Sequence, residues 1–105
     1  MIQNFRSYEL AVEVYRQVKL IKAPSHLRDQ LLRASSSVVL NLSEGSAKPT
    51  WPDKARFYAI AFGSLRETQS IIDLLDDDQC DAMLRDQLDH LAACLYKLTY
   101  RNRRR

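Results

Sequence analysis

Three side chains able to bind a metal recur at four-residue intervals near the end of the chain. They are Asp86, His90 and Cys94, and this spacing places them on one face of a helix. Carboxylate, imidazole and thiolate groups are all zinc ligands. The chain contains two histidines and two cysteines in all, and no second cluster has the spacing of metal ligands. The pattern therefore favours a mixed helix face beside an apolar seam, with no metal site and no cofactor.

Two carboxylates, Glu44 and Glu67, offer the chemistry of a general acid and a general base. No nucleophile, metal pair or glycine-rich phosphate loop accompanies them, so the pattern favours a structural role, and no enzymatic activity is expected. We interpret them as part of a polar layer that fixes helix register and subunit geometry. The predicted layer comprises Arg33, Ser37, Asn41, Glu44, Arg56, Gly63, Ser64 and Glu67.

Each polar group in this layer needs a partner, because a polar group buried without a hydrogen bond costs free energy. We expect Asn41 and Ser64 to bond to each other or to the backbone. We expect Glu44 or Glu67 to pair with one of the two arginines of the layer. A glycine inside a helix costs about 1 kcal/mol relative to alanine. The glycine at Gly63 therefore predicts close approach of a neighbouring helix over small serines.

Helices must position these side chains, since apolar residues recur at three- and four-residue spacing along the whole chain. Two glycines and three prolines in 105 residues also argue against an all-β domain. We predict one domain over residues 1–105, an all-α, up-down-up-down four-helix bundle. The last helix has the most regular apolar seam, formed by Leu84, Leu88, Leu91, Leu95 and Leu98. The predicted helices are Ser7–Lys22, Ser25–Gly45, Pro52–Leu75 and Gln79–Tyr100, with Ser7, Ser25 and Thr50 as N-caps.

The net charge of +3 is concentrated at one end of the sequence. Without residues 101–105, which contain four arginines, 12 basic and 13 acidic side chains remain, a net charge of −1. An acidic first turn and a basic last turn are also what a helix macrodipole favours, and residues 73–89 are strongly acidic. The candidate nucleic-acid-binding residues are Arg16, Lys19, Lys22, Arg101, Arg103, Arg104 and Arg105.

Two apolar runs, Val38–Leu40 and Phe57–Phe62, cover the whole circumference of their helices. A helix that is apolar all round must be buried all round, whereas a four-helix bundle leaves each helix an outer face. The surplus predicts assembly of several copies of the chain. Four tyrosines at the ends of the first and fourth helices are expected to pack at the bundle edge rather than to stack on bases: Tyr8, Tyr15, Tyr96 and Tyr100. Trp51 either anchors a neighbouring subunit or folds over the bundle end.

Membrane and disulfide functions are not favoured. The longest runs without charge, Ala34–Ser43 and Phe57–Leu65, are about half as long as the roughly 20 residues of a membrane span. Cys80 and Cys94 would lie about 21 Å apart along one helix, too far to form a disulfide within the chain. The sequence shows no signal peptide, and we expect a cytoplasmic protein.

The central part of the sequence resembles a bacterial family of four-helix bundles. That family includes the proteins encoded in 23S rRNA intervening sequences and the accessory variability proteins of diversity-generating retroelements. Val38, Leu42 and Ser43 differ conservatively from the usual Ile, Ile and Ala of the family. The matching positions are Gln30, Arg33, Ser37, Asn41, Glu44, Gly45, Arg56, Phe57, Ala61, Gly63, Ser64 and Glu67.

The resemblance implies a ring of five bundles around a central pore, with no established catalytic activity. It also implies that the chain binds RNA or DNA, or a nucleic-acid-processing partner such as a reverse transcriptase. Two functions therefore remain open. One is a homo-oligomeric scaffold that binds nucleic acid, and the other is a scaffold for proteins alone, in which the arginine tail serves solubility.

Overall fold

The computed structural model describes residues 5–75 and 80–100, and every regular element in these residues is a helix. The prediction of an all-α chain with four helices is confirmed. The predicted start of the second helix, Ser25, is confirmed. The predicted starts of the first and third helices and the predicted ends of the first three each differ by a few residues, and the predicted fourth start, Gln79, lies outside the described residues. The helices are α1 (Phe5–Val18), α2 (Ser25–Ser46), α3 (Trp51–Asp73) and α4 (Ala82–Tyr100).

Each helix packs against its two neighbours in the cyclic order α1, α2, α3, α4, and α2 and α3 share the most extensive contact. The bundle measures 43 × 21 × 21 Å. Short connections make successive helices antiparallel, as an up-down-up-down bundle requires. All five leucines of the predicted α4 seam are buried, so the three- and four-residue spacing located the core correctly.

Two of the predicted N-caps, Ser7 and Ser25, are wrong. Ser7 lies inside α1 and is buried. The N-cap of α2 is Pro24, with an extended ψ of 144° and no side-chain capping bond, so Ser25 occupies the first helical position. The guanidinium of Arg28 donates instead to the carbonyl of Ile21 at 2.8 Å, which satisfies an acceptor in the connection. The proline ring fixes φ at this boundary, which explains why a serine cap is dispensable.

The starts of α3 and α4 are capped by side chains. Thr50 accepts a hydrogen bond from the backbone N–H of Asp53 at 3.4 Å, which confirms the predicted cap. Asp81 accepts from the backbone N–H of Leu84 at 2.8 Å. A carboxylate at this position also suits the positive end of the helix dipole.

A glycine sets the distance between α2 and α3. Gly45 is buried, and a Cβ placed on it would lie 2.8 Å from Cε1 and 2.9 Å from Cδ1 of Tyr58. Gly45 was expected to end its helix, but α2 continues to Ser46 and the glycine makes room for the buried tyrosine ring. None of the helices in the described residues is long and apolar enough to cross a membrane.

Candidate functional site

The predicted polar layer lies between α2 and α3 and is held by hydrogen bonds. The hydroxyl oxygens of Ser37 and Ser64 are 2.8 Å apart across the two helices. The amide Nδ2 of Asn41 donates to the backbone carbonyl of Ser37 at 2.9 Å and to its Oγ at 3.0 Å. Thr68 donates to the carbonyl of Ser64 at 2.9 Å. Asn41 bonds to the backbone as expected. The hydroxyl of Ser64 instead pairs with that of Ser37, so the expected partner of Ser64, either Asn41 or the backbone, is wrong.

The charged members of the predicted layer do not pair as expected. Glu44 binds Lys48 at 3.0 Å, and Arg56 binds Asp53 at 3.6 Å. Each acid therefore pairs with a base three or four residues further along the chain. The two remaining charged members of the layer, Arg33 and Glu67, are exposed. The predicted pairing of Glu44 or Glu67 with Arg33 or Arg56 is therefore wrong.

Gly63 also differs from its predicted role. It is exposed, and among the described residues no atom outside the adjoining backbone of α3 and the two neighbouring residues lies within 4 Å of a Cβ placed on it, so α2 does not approach it. It lies on the solvent side of α3, one turn from Ile60, which is 46% exposed. Leu40 on α2 is 65% exposed. Because Ser37 faces Ser64 on an antiparallel helix, Leu40 and Ile60 lie at nearly the same level of the bundle. We call Leu40, Ile60 and Gly63 the outer face.

The outer face accounts for the surplus apolar residues seen in the sequence. Within the first run, Val38 is buried and Leu40 points outwards. Within the second run, Tyr58 and Ala61 are buried, whereas Ile60 is partly exposed. The bundle therefore uses one stripe of each run for its own core and leaves a second stripe in solvent.

A second surface lies between the first half of α3 and the last turns of α4. A groove of about 450 Å³, which we call the α3/α4 groove, is lined by Trp51, Pro52, Ala55, Arg56, Ala59 and Thr99. Two polar atoms in these lining residues, Nε1 of Trp51 and Oγ1 of Thr99, are buried and have no hydrogen-bond partner among the described residues. The sequence analysis did not identify Thr99. The sequence feature that could have indicated a groove is the pair of alanines one turn apart, Ala55 and Ala59.

An aromatic cluster continues this surface. The ring centroids of Tyr96 and Tyr100 are 5.1 Å apart, and they lie 6.1 and 5.9 Å from the ring of Phe62. The guanidinium of Arg66 lies 5.0 Å from the centre of the Phe62 ring. The tyrosines pack at the bundle edge as predicted, yet Tyr96 is 52% exposed and Tyr100 is 37% exposed. Both tyrosines are therefore partly accessible from outside.

The candidate nucleic-acid-binding residues form two groups in the sequence, and the structure describes the first of them. Arg16, Lys19 and Lys22 are exposed at the end of α1 and in the connection that follows it. This end of α1 lies beside the first half of α4, as the hydrogen bond between the side chains of Gln17 and Gln87 shows. The other candidates, Arg101, Arg103, Arg104 and Arg105, lie outside the described residues and follow the opposite end of α4 in sequence.

Asp86, His90 and Cys94, for which the sequence favoured a mixed helix face over a metal site, lie on α4. Sγ of Cys94 lies 3.8 Å from Nε2 of His90. Within residues 5–75 and 80–100, no three His, Cys, Asp or Glu side chains are grouped so as to hold a metal ion. Both cysteines are free, and Cys80 is the buried one. Burial raises the pKa of the Cys80 thiol; the charge of Arg85 opposes this shift and that of Asp81 adds to it.

The fold and its polar layer define a small antiparallel four-helix bundle with a hydrogen-bonded interface between its second and third helices. The model of the 23S rRNA-intervening sequence protein family matches residues 4–99, and the chain belongs to that family. No curated protein and no solved structure gives a significant match to the chain.

Proposed function

We propose that this protein is a non-enzymatic, homo-oligomeric scaffold of the cytoplasm that binds nucleic acid. The observation that carries the proposal is the outer face, on which Leu40 and Ile60 remain 65% and 46% exposed. Full burial of one such side chain is worth about 1.5–3 kcal/mol. The bare Cα of Gly63 beside them allows a helix of another copy to approach closely. Burial of this face between copies accounts for both features.

The family resemblance supports a ring of five copies, and it supports a partner that acts on nucleic acid, such as a reverse transcriptase. In a ring, each copy contributes its outer face to a contact with the next copy. A ring also multiplies weak surface sites, because linked sites raise avidity by roughly 10²–10⁴ where the geometry allows. Five copies would carry about twenty tail arginines, four from each chain.

Electrostatics supports nucleic acid as the ligand. No acidic residue follows Asp89 in the sequence, whereas Lys97 and four arginines do. Arginines on a tail meet phosphates rather than base edges, so this part of the binding is insensitive to sequence. It also weakens steeply with salt, because bound counterions are released from the nucleic acid.

The experiment that tests this function compares the full chain with a chain ending at Tyr100 in anisotropy titrations against labelled RNA and duplex DNA. Two salt concentrations separate electrostatic binding from the rest. We expect the full chain to bind both nucleic acids at low salt and the shortened chain to bind them much more weakly. If the full chain binds neither at low salt, the scaffold serves proteins alone.

A further inference from the structure

The α3/α4 groove retains hydrogen-bonding capacity that the chain itself does not use. Thr99 is 1% exposed, and its hydroxyl lacks a hydrogen-bond partner in the described part of the chain. Trp51 lines the same groove, and its buried indole N–H also has no hydrogen-bond partner among the described residues. Two residues that line a cavity of about 450 Å³ therefore each carry a buried polar atom without a partner in the described part of the chain, one of them a donor only. This volume is within the roughly 300–1,000 Å³ of small-ligand sites.

The donors of the groove select the chemistry of its ligand. An indole N–H and a guanidinium can only donate, and a hydroxyl can do either. A ligand that satisfies Trp51, Arg56 and Thr99 must therefore present acceptors. Arg56 makes an exposed ion pair of 3.6 Å with Asp53, and its guanidinium lies 4.9 Å from the centre of the Phe57 ring. An exposed ion pair has a small value, and an anionic ligand can replace it. Alanine and proline side chains form the rest of the lining, which suits a flat apolar body.

The aromatic cluster lies along the same helix pair, one turn further on. Hydrogen bonds from Gln69 to Asp89 and from Arg85 to Asp73 set the level of α3 against α4. This register places Phe62 opposite Tyr96, and Ala59 opposite Thr99. The exposed tyrosine rings therefore adjoin the α3/α4 groove, and Arg66 flanks them on the far side.

We infer that the α3/α4 groove and the adjoining tyrosines form a site for unstacked bases of single-stranded nucleic acid. Bases stack on Tyr96 and Tyr100, one base enters the groove and accepts the N–H of Trp51, and phosphates lie against Arg56 and Arg66. A nucleotide combines the required features, since it has a flat ring, acceptors on its edge and a negative charge. In a duplex the base faces are already stacked and cannot reach these rings.

Charge favours nucleic acid over a peptide as the occupant. A peptide also offers carbonyl acceptors, but a neutral peptide gains nothing from Arg56, Arg66 and the arginines that follow Tyr100. This inference rests on the proposed nucleic-acid function and adds a preference for single strands, a base-stacking surface and a location distinct from the tail.

The test uses the full chain in anisotropy titrations against a labelled single-stranded RNA and a duplex of the same length. We expect the double variant Tyr96→Leu, Tyr100→Leu to bind the single strand about 10- to 100-fold more weakly, from the loss of base stacking. Duplex binding should stay as in the parent chain. Tyr8→Leu is the matched control, because Tyr8 is a half-buried tyrosine on α1, a helix that contributes no lining residue to the groove. It should bind both nucleic acids like the parent.

A second measurement uses Trp51, the single tryptophan of the chain. Single-stranded RNA should change its fluorescence, and duplex should not. Thr99→Val keeps the shape of the groove and removes the hydroxyl, and it should weaken single-strand binding several-fold with helicity unchanged. Circular dichroism of each variant verifies that it folds.

The outcomes separate the two proposals. If the single strand and the duplex bind equally and the tyrosine and threonine variants have no effect, the groove is not a base site, and the tail alone carries nucleic-acid binding. If the chain binds neither, both proposals fail. If an acidic peptide binds as tightly as RNA with the same dependence on Tyr96 and Tyr100, the groove is a peptide site and the inference is overturned.

Discussion

The two sides of α3 differ in whether their polar groups have hydrogen-bond partners. On the side facing α2, the hydroxyls of Ser37 and Ser64 bond to each other and Asn41 bonds to Ser37. On the side facing the end of α4, the polar atoms of Trp51 and Thr99 have no partner within the described residues. At the α2 interface, these polar side chains therefore have their hydrogen-bond partners within the bundle. The α4 side retains donors and exposed rings for a molecule outside the chain.

The difference has an energetic meaning. A buried polar group that lacks a hydrogen bond costs roughly 1–3 kcal/mol, whereas a satisfied one contributes about 1 kcal/mol. The α2 side therefore stabilises the bundle through its polar groups, and the α4 side destabilises it until a ligand binds. Substitutions on the two sides should have effects of opposite sign.

The largest expected effect comes from Gly45. Gly45→Ala places a methyl group 2.8 Å from the ring of the buried Tyr58, which has no room to move. We expect the free energy of unfolding to fall by about 1–3 kcal/mol, as in other overpacked cores. Urea denaturation at a fixed protein concentration measures it.

Gly63→Ala is the matched control for this prediction. Its added methyl group meets open space in the described part of the single bundle. When the copies are kept apart by Leu40→Glu and Ile60→Glu, the subunit should therefore keep its helicity and gain up to about 1 kcal/mol of helix propensity. Equal loss of stability in both variants would mean that the close approach of α2 and α3 does not depend on Gly45.

A pair of hydroxyl deletions tests the contrast between the two sides of α3. Ser64→Ala removes a bonded hydroxyl and should cost about 0.5–1.5 kcal/mol of unfolding free energy. Thr99→Val removes a hydroxyl that lacks a partner among the described residues and should be neutral or stabilising by about 1 kcal/mol. Thermal or urea unfolding of the two variants checks the sign. A clear loss of stability in Thr99→Val would show that its hydroxyl is satisfied.

The two cysteines, one just before α4 and one within it, differ in burial. Cys80 is 7% exposed, whereas Cys94 is only half-buried. Because burial raises the pKa of Cys80, its thiolate fraction at pH 8 is low, and any stability it adds is present at low pH and lost as pH rises through the raised pKa. We expect Cys94 to react with a thiol reagent several-fold faster at pH 8. The single variants Cys80→Ser and Cys94→Ser assign the two phases, and faster reaction of Cys80 would contradict its burial.

The smallest expected effect is at Glu44. Its ion pair with Lys48 leaves 54% of the Glu44 side chain exposed, and surface pairs of this kind contribute little. Glu44→Ala should therefore change the unfolding free energy by less than about 0.5 kcal/mol. A loss of several times that value in urea unfolding would indicate that Glu44 is buried against an arginine in the assembled protein.

The sequence predicted most of what depends on spacing along a single helix. The leucine seam of α4 and the positions of Ser37, Asn41 and Ser64 follow from residues three and four apart, which share a face. Spacing does not show which face meets a neighbour. Gly45 and Gly63 are both helical glycines, and only their surroundings in the bundle distinguish a close contact from an exposed site.

Other features, which depend on contacts between residues of different helices or at helix ends, had no sequence pattern that predicted them. Glu44 can pair either with Lys48, four residues later in the chain, or with an arginine across helices. In the structure it pairs with Lys48. The α3/α4 groove depends on how α3 is aligned with α4, which is set by contacts between helices such as the one between Gln69 and Asp89. A threonine near the end of a helix has no periodic pattern that marks its hydroxyl as unsatisfied.

The central claim is that the outer face is buried between copies of the chain. The most direct test is the mass of the purified protein by size exclusion with light scattering at micromolar concentration. The account predicts an oligomer, with a mass of about 61 kDa for five chains of 12.2 kDa, and predicts that Leu40→Glu with Ile60→Glu dissociates it into folded single chains. A mass near 12 kDa for the unaltered protein would contradict the account.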